Sequence, residues 1–478
     1  MTILDFIIIV LYMFMMFGLG LVARTKIKSV DDYLLGGHRF NTFALVGTIM
    51  ATLIGAGLTL GIAGSVYQHG AGVIWNYLGF GVGLVVFAFM VKRLRGTGKR
   101  TMAEVIAGEF GNLPRFFVAI IVVFYCTGIV SLCVTGMARL LTYLGEPLGI
   151  SITTAVVITS IITTIYTALG GLYSVVWTDV VQFVIMFLVV VVIGPIMAIA
   201  TAGGIGTMQT ALASQHLSLF NPFQGTTFTY AITSFLLIFL SVPSDPTTPQ
   251  RGLAAKDVNT AKKAFLFVSI PVVLYGVGLL FIGAGSMTVM PDLKETYGTT
   301  EAAFPIFIMK YYPTGLAGFG IAGLIAAIMS TISAMLLVGA SHLVYDIGQC
   351  LFPQTKDETF NKILPWAVIV IGVIVTYAAL QIESLLNVMY FVFSLIGSAL
   401  MWPFIFTLYW KGATKWGITA GVVLGAISCL YMQIRGILGP GGDPVYLSMA
   451  ISVASIVIGS LRDPNKRVRQ LQDAQEGI

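Results

Sequence analysis

Thirteen separate stretches of this chain are apolar, and each is long enough to cross a lipid bilayer as a helix. They lie near residues 3–22, 44–66, 71–91, 116–143, 151–170, 174–201, 227–243, 264–285, 314–346, 363–382, 385–409, 415–434 and 444–461. Hydrophobic residues make up 57% of the chain and charged residues only 10%, which excludes an ordinary soluble fold. The pattern predicts an all-α polytopic membrane protein with thirteen transmembrane helices.

The basic residues predict how these helices are oriented. If the N-terminus is outside, 22 of the 26 Lys and Arg residues fall on the cytoplasmic side, and only Arg139, Lys294, Lys310 and Arg435 fall outside. Short cytoplasmic loops of membrane proteins are enriched in positive charge. We therefore expect a cell-membrane protein with a cytoplasmic C-terminus, in which the net charge of +6 reflects topology and no nucleic acid is bound. Residues 1–470 are expected to form one transmembrane domain, and residues 462–478 a short cytoplasmic tail.

Two of the spans are interrupted. The second, GTIMATLIGAGLTLGIAG, has four glycines near its centre, and the seventh ends in LSVPSDPTTPQR, where three prolines remove backbone donors. The two spans are five apart and run in opposite directions. Such a pair predicts an inverted-repeat secondary transporter, with spans 2–6 (about 44–201) and 7–11 (about 227–409) as repeats. The alternative is that the glycines only allow close helix contact.

The ninth span, AGLIAAIMSTISAMLLVGAS, carries hydroxyl groups in its middle. Ala327, Ser330 and Thr331 share one helical face because they are spaced i, i+3, i+4. Span 2 runs outward and span 9 inward, so the backbone carbonyls of Ala51 and Ile54 are expected at the same depth. A site for a small alkali cation, Na⁺, is therefore predicted at five oxygens: the carbonyl oxygens of Ala51, Ile54 and Ala327 and the hydroxyl oxygens of Ser330 and Thr331. The alternative is that the hydroxyls bond their own helix or join helices.

Asp179 lies well inside the sixth span, where an acid is costly and usually functional. The alternative is a cap or a partner for a nearby hydroxyl. Asp245, in the span-7 break, is interpreted as a helix cap. The four cysteines lack metal-binding spacing, and no His, Cys or paired carboxylates share one depth. We therefore expect that the protein is not an enzyme.

Five motifs, in this order, resemble the sodium:solute symporter family, which includes proline, pantothenate, sialic acid and sugar transporters. They are DDYLLGG (31–37), TMAEVIAGEFG (101–111), YTALGGLYSVVWTDVVQ (166–182), QRGLAAKD (250–257) and AAIMSTISAMLL (326–337). The resemblance covers most of the chain. It implies a LeuT-like 5+5 inverted repeat with discontinuous spans 2 and 7.

The resemblance also implies roles for particular residues. The family's sodium site falls on the same five positions, Ala51, Ile54, Ala327, Ser330 and Thr331. Some members have a second cation site, which here corresponds to Asp179 and Ser333, although Ala334 stands where those members have a second hydroxyl. Asp179 then serves a second site, the release path of the first ion or a gate. The implied substrate-binding candidates are Gly55, Thr59, Trp75, Tyr77, Tyr125, Ser241, Tyr390 and Phe391.

The expected function is Na⁺-coupled symport of a small organic solute by alternating access. The apolar lining of the span-2 break favours an amino acid or another small carboxylate over a sugar, because a carboxylate suits exposed N–H groups at a half-helix N-terminus. Three alternatives stay open: a proton-coupled or uncoupled carrier, a sugar or vitamin Na⁺ symporter, and a membrane sensor. The expected partners are the solute, Na⁺ and the lipid bilayer, with the protein acting as a monomer.

Overall fold

The computed structural model describes residues 1–24, 34–145, 149–225, 228–355, 357–437 and 443–463. This part of the chain is almost entirely helical and contains no strand beyond an isolated bridge between Phe40 and Ala255. The start of the DDYLLGG motif and most of the 462–478 tail lie outside the described residues.

The helices are numbered in chain order. The first half contains α1 (Ile3–Arg24), α2 (Thr42–Leu53), α3 (Ile62–His69), α4 (Ile74–Gly96), α5 (Met102–Phe110), α6 (Asn112–Leu144), α7 (Ile152–Phe187), α8 (Gly194–Thr201) and α9 (Ile205–Ser214). The second half contains α10 (Phe228–Ser244), α11 (Thr247–Ala254), α12 (Val258–Val289), α13 (Leu293–Tyr297), α14 (Ala303–Tyr311), α15 (Leu316–Ser341), α16 (Gly348–Leu351), α17 (Asp357–Ala379), α18 (Leu385–Ala399), α19 (Met401–Tyr409), α20 (Lys415–Ile434) and α21 (Val445–Leu461). Short 3₁₀ or π turns join several of them, at Gly36–His38, Gly57–Gly61, Gly70–Val73, Leu188–Ile193, Thr300–Ala302 and His342–Ile347.

The predicted all-helical membrane architecture is confirmed, but the number of spans is not. In the described residues nine helices are long and apolar enough to cross a membrane, or ten if α10 and α11 form one broken span. Three shorter apolar helices add to these, at Thr42–Leu53, Ile152–Ile165 and Val445–Leu461. Every predicted span overlaps one of these helices, but thirteen crossings stay a prediction.

Both interruptions predicted from the sequence are breaks in the structure. Helix α2 ends at Leu53, and Ile54 leaves the helical conformation with φ −104° and ψ 85°. Regular helical structure begins again with the π turn at Gly57. Helices α10 and α11 meet at a bend of 48°. Pro243 and Pro246 flank the bend, where each removes a backbone donor. Gly171 (φ 57°, ψ 178°) separates the two halves of α7, which the sequence predicted as spans 5 and 6.

Helix α15 forms the centre of the bundle. It packs against α1, α2, α6, α7 and α17, and every residue from 320 to 341 is buried. Helix α12 packs against α2, α3 and α4, while α10 packs against α4 and α18. A helix that is apolar all round needs neighbours on every side, and α15 has them. Its few polar groups therefore face other helices and not lipid.

One end of the bundle, which we call the basic end, joins α2, α4, α11 and α19. Arg95 donates to the carbonyls of Gly252 and Leu253, and Arg93 donates to Leu408. Asp257 caps α12 here by accepting from the backbone N–H and hydroxyl of Thr260, and these bonds lower the pKa of its carboxyl. Helix α2 starts at this end and α15 finishes there, so the two run antiparallel.

We expect Gly79→Ala to destabilise the protein by about 1–3 kcal/mol, the usual cost of overpacking. A Cβ at Gly79 would lie 2.2 Å from the carbonyl oxygen of Phe235, which is backbone and cannot rotate away. Gly18→Ala is the matched control, because nothing lies within 4 Å of a Cβ there. Thermal unfolding of the two purified variants measures the difference, and equal melting temperatures would contradict the packing of α4 on α10.

Candidate functional site

The break in the second span exposes backbone oxygens in the middle of the bundle. The last four carbonyls of a helix have no partner within it. In α2 these include Ala51 and Thr52, while the N–H of Ile54 makes the final bond, to Met50. Ala51 and Ile54 are completely buried. Such carbonyls need a partner from elsewhere, because water does not reach them.

The partners are the two hydroxyls of α15 that the sequence singled out. Ser330 Oγ lies 2.8 Å from the carbonyl oxygen of Ala51, and Thr331 Oγ1 lies 2.9 Å from that of Thr52 and 3.4 Å from that of Ala51. Both hydroxyls also lie near the Ala327 carbonyl oxygen, at 3.1 and 3.4 Å. Four of the five predicted cation ligands are therefore brought together. Ile54 lies at the end of the same helix.

This group of oxygens suits a small, hard cation. Hard cations such as Ca²⁺ hold oxygens at about 2.3–2.6 Å, so adjacent ligand oxygens lie roughly 3.4 Å apart. The separations across the α2–α15 junction are 2.8–3.4 Å, so the shortest are direct hydrogen bonds that have to lengthen when an ion enters. Ser330 is also 2.9 Å from the carbonyl of Ala326 in its own helix, so it can donate there and offer a lone pair to an ion. No group of three His, Cys, Asp or Glu suited to a transition metal occurs in the described residues.

Asp179 lies next to this junction, on the side of the basic end. Its Oδ2 accepts from Thr48 Oγ1 at 2.6 Å and from Thr52 Oγ1 at 3.3 Å. It is completely buried. Ser333, its predicted partner in a second cation site, bonds the Ser330 carbonyl of its own helix at 3.1 Å. The described hydrogen bonds of Asp179 thus connect α7 to α2 rather than to α15.

The structure adds an arginine that the sequence did not single out. Arg251 was counted among the cytoplasmic loop charges, but it is 1% exposed. It donates to Thr52 Oγ1 at 2.9 Å and to Gln250 Oε1 at 2.6 Å, and it lies 3.9 Å from Asp179 Oδ2. The sequence feature that could have pointed to Arg251 is its position in QRGLAAKD, directly after the prolines of the span-7 break. Thr52 therefore links the cation-suited oxygens to a buried ion pair.

A small cavity lies between the two breaks. Its volume is about 20 Å³, which is room for one water molecule, so a solute requires the helices to separate. Three predicted substrate candidates line it: Gly55, Tyr125 and Ser241. Cys133, Thr331 and Asp245 also face it. The cavity and the cation-suited oxygens share Thr331, so an ion and a solute would lie side by side.

The other predicted substrate candidates lie away from this cavity, towards the end opposite the basic end. Tyr77 donates to the Leu58 carbonyl, and Thr59 Oγ1 is 3.1 Å from the hydroxyl of Tyr275. Tyr390 donates to Asn76 Oδ1 at 3.1 Å. Trp75 donates to the Pro222 carbonyl at 3.2 Å, and the Phe391 carbonyl accepts from Gln433 at 3.2 Å. Of these contacts, only that of Tyr77 reaches a residue that lines the cavity, Leu58.

Ion pairs hold both ends of the bundle. At the opposite end Arg139 pairs with Glu301, whose other oxygen accepts from the N–H of Leu385 at 2.8 Å. At the basic end Arg115 Nε donates to Asp346 Oδ1 at 2.8 Å. The two ion pairs therefore join α6 to the Thr300–Ala302 turn at one end of the bundle and to the His342–Ile347 turn at the other.

Broken helices that meet in mid-bundle around an enclosed site are typical of a secondary transporter. Residues 33–425 match the sodium:solute symporter family, so the chain belongs to that family. The chain is 26% identical to the high-affinity proline transporter PutP of Bacillus subtilis over 433 residues, covering 88% of this chain and 90% of the relative. It is 26% identical to the sodium/pantothenate symporter of Escherichia coli over 475 residues, covering 95% of each.

Solved structures show the same fold. A substrate-bound, outward-open Na⁺-coupled sialic acid symporter superposes with a TM-score of 0.80 at 22% identity, covering 98% of each chain. A nucleobase-cation-symport-1 family transporter in a closed conformation gives a TM-score of 0.56 at 16% identity, covering 92% of this chain and 97% of the other. The predicted LeuT-like transporter fold is confirmed. The chain is a multi-pass membrane transporter that couples Na⁺ to the symport of a small solute.

Proposed function

We propose that the coupling Na⁺ is bound by five neutral oxygens, namely the carbonyl oxygens of Ala51, Ile54 and Ala327 and the hydroxyl oxygens of Ser330 and Thr331. The observation that carries this proposal is the contact of the Ser330 and Thr331 hydroxyls with the carbonyls of Ala51 and Thr52, at 2.8 and 2.9 Å. An ion here stabilises the junction of α2 with α15 and orders the break beside the cavity. Because all the ligands are neutral, the ion is held weakly enough to be released.

We infer that the solute is an amino acid or another small carboxylate. Proline and pantothenate, which the names of two relatives specify, both carry a carboxylate. The half-helix that follows the break begins at Gly57, and its first N–H groups form the positive end of a helix dipole. A solute carboxylate in the cavity would lie close to both this dipole and the Na⁺.

The basic end is the cytoplasmic side in this proposal, with the N-terminus outside, the C-terminus cytoplasmic and the protein in the cell membrane as a monomer. Na⁺ and solute enter from the opposite end after the Arg139–Glu301 contact opens. They leave towards the basic end past Asp179 and Arg251, which form the release path. A second ion at Asp179 and Ser333 requires Ser333 to turn from its bond to Ser330.

The driving force is sufficient for accumulation with a single ion. A tenfold Na⁺ gradient contributes about 1.4 kcal/mol and a membrane potential of about 100 mV contributes about 2.3 kcal/mol. Their sum, about 3.7 kcal/mol, corresponds to roughly 500-fold accumulation of a neutral solute.

Uptake by proteoliposomes tests the proposal. We expect radiolabelled amino acids or organic acids to accumulate when a Na⁺ gradient is imposed and not when K⁺ replaces Na⁺. A proton gradient without Na⁺ distinguishes the proton-coupled alternative. Accumulation with protons alone, or uptake that does not depend on Na⁺, would contradict the assignment of Na⁺ as the driving ion.

A further inference from the structure

A single charged side chain faces the cavity among the described residues that line it. This is Asp245, which is 4% exposed. It lies in the bend between α10 and α11, next to Ser241 and opposite Tyr125 of α6. The sequence alone suggested a helix cap near the membrane surface. The structure places it instead in the middle of the bundle.

The capping role accounts for only part of Asp245. Its Oδ1 accepts from the backbone N–H of Thr247 at 2.8 Å and from the Thr247 hydroxyl at 2.5 Å. Its Oδ2 accepts from the Tyr125 hydroxyl at 2.6 Å. Serine or asparagine caps a helix about as well as aspartate does, and neither carries a charge. The negative charge therefore needs another explanation, because burying a charge without a close ion-pair partner lowers stability.

The cation nearest in sequence does not form an ion pair with Asp245. Arg251 lies 3.9 Å from Asp179 and donates to Thr52 and Gln250. Within the described part of the chain no Lys, Arg or His nitrogen lies within 4.0 Å of the Asp245 carboxylate. The carboxylate has lone pairs left for a further donor, since it can accept about four hydrogen bonds.

The charges at the centre of the bundle favour a solute without net charge. With all three groups ionised, the buried carboxylates of Asp179 and Asp245 and the buried guanidinium of Arg251 give a net charge of −1. One Na⁺ at the proposed site brings the sum to zero. A zwitterion keeps it at zero, whereas an organic anion or an organic cation would leave one uncompensated charge in a buried region. This step rests on the proposed function.

We infer that Asp245 binds the ammonium group of a zwitterionic amino acid whose carboxylate lies near the proposed Na⁺. The Tyr125 hydroxyl donates to the Asp245 carboxylate, and the centroid of the Phe393 ring lies 6.2 Å from that of the Tyr125 ring. An ammonium ion that binds the carboxylate would therefore lie near two aromatic rings, whose faces attract cations. Asp245 thus determines which carboxylates the transporter accepts, selecting those that carry an amine.

Matched ligands test this inference on the wild-type protein. Thermal stabilisation in saturating Na⁺ is measured with each standard amino acid and with its α-hydroxy acid, such as L-alanine against L-lactate, in which a hydroxyl replaces the ammonium. We expect at least one amino acid to stabilise the protein and its hydroxy acid to bind at least about tenfold more weakly, because a hydrogen bond to a charged group is worth that much. Equal binding of the pair, or no stabilisation by any amino acid, would overturn the inference.

The variant Asp245→Asn removes the charge and keeps the oxygen that accepts from Thr247. We expect it to lose at least about tenfold in affinity for the same amino acid. Asp443→Asn is the control, because Asp443 caps α21 in the same way, accepting from the N–H of Val445 and from Ser394 outside this cavity. Unchanged amino-acid affinity in the Asp245 variant would overturn the inference.

Binding of ²²Na⁺ to the wild type without solute separates the two proposals. If Na⁺ binds and the Asp245 inference fails, the fault lies in the solute class alone. If Na⁺ does not bind, the proposed function and the charge balance built on it both fail.

Discussion

Replacing Thr331 with alanine is expected to raise the Na⁺ concentration for half-maximal uptake by about tenfold or more. The change removes a hydroxyl that contacts the carbonyls of Thr52 and Ala51 at 2.9 and 3.4 Å. It thereby removes one of the oxygens proposed to bind the ion; an interaction with a charged partner is worth about 1.5–3 kcal/mol, and 1.4 kcal/mol is a factor of ten in affinity. Ser330→Ala is expected to act in the same direction, because Ser330 contacts Ala51 at 2.8 Å.

Two further variants show whether this effect belongs to the ion site. Thr331→Ser keeps the hydroxyl and is expected to keep most of the Na⁺ affinity. Ser341→Ala removes a buried hydroxyl of the same helix that bonds the Leu337 carbonyl, and it is expected to leave the Na⁺ dependence unchanged. Uptake at varied Na⁺ measures all four. If Thr331→Ala and Ser341→Ala behave alike, the hydroxyl of Thr331 is not a ligand.

Replacing Arg251 with glutamine is expected to destabilise the folded protein by about 3–5 kcal/mol. Arg251 and Asp179 are both almost fully buried and lie 3.9 Å apart, so losing the guanidinium leaves Asp179 charged and uncompensated. Breaking a buried ion pair on one side typically costs this much. The melting temperature should fall by about 5 °C or more.

The double variant Asp179→Asn with Arg251→Gln is expected to recover much of that loss, because it removes both charges together. Arg93→Gln is the control at the same end of the bundle, where Arg93 is exposed and donates to the Leu408 carbonyl. A double variant no more stable than Arg251→Gln alone would contradict the pairing of Asp179 with Arg251.

Local sequence properties predicted most of the fold. Glycines in span 2 and prolines in span 7 act on the backbone where they stand, so the breaks at Ile54 and Asp245 could be located without knowing what packs there. The i, i+3, i+4 spacing of Ala327, Ser330 and Thr331 likewise fixes one helical face. The direction of each span then predicted which break that face would meet, and the structure brings the two together.

The burial of Arg251 and Asp245 could not be predicted from the sequence. Both follow an apolar run beside prolines, which is where loop arginines and capping aspartates commonly occur. Whether such a charge reaches water depends on how α11 folds back against α2, α4 and α12, and that is a long-range property. Arg251 finds Thr52 and Asp179 on two other helices, far away in the chain.

The substrate candidates show the same limit. Gly55 and Ser241 belong to the two breaks and therefore line the cavity, as the break positions suggested. Tyr77 and Tyr390 lie on unbroken helices, where a small rotation or shift in depth decides whether a ring faces the cavity or covers it. Apolar periodicity does not fix that rotation, because both helices are surrounded by other helices. Their roles as substrate ligands stay predictions.

Equilibrium binding of ²²Na⁺ to the purified protein tests most directly whether neutral oxygens between α2 and α15 hold the coupling ion. We predict saturable binding of about one ion by the wild type and by Ser341→Ala, and its loss in the double variant Ser330→Ala with Thr331→Ala. Binding of the same amount and affinity in that double variant would contradict the account.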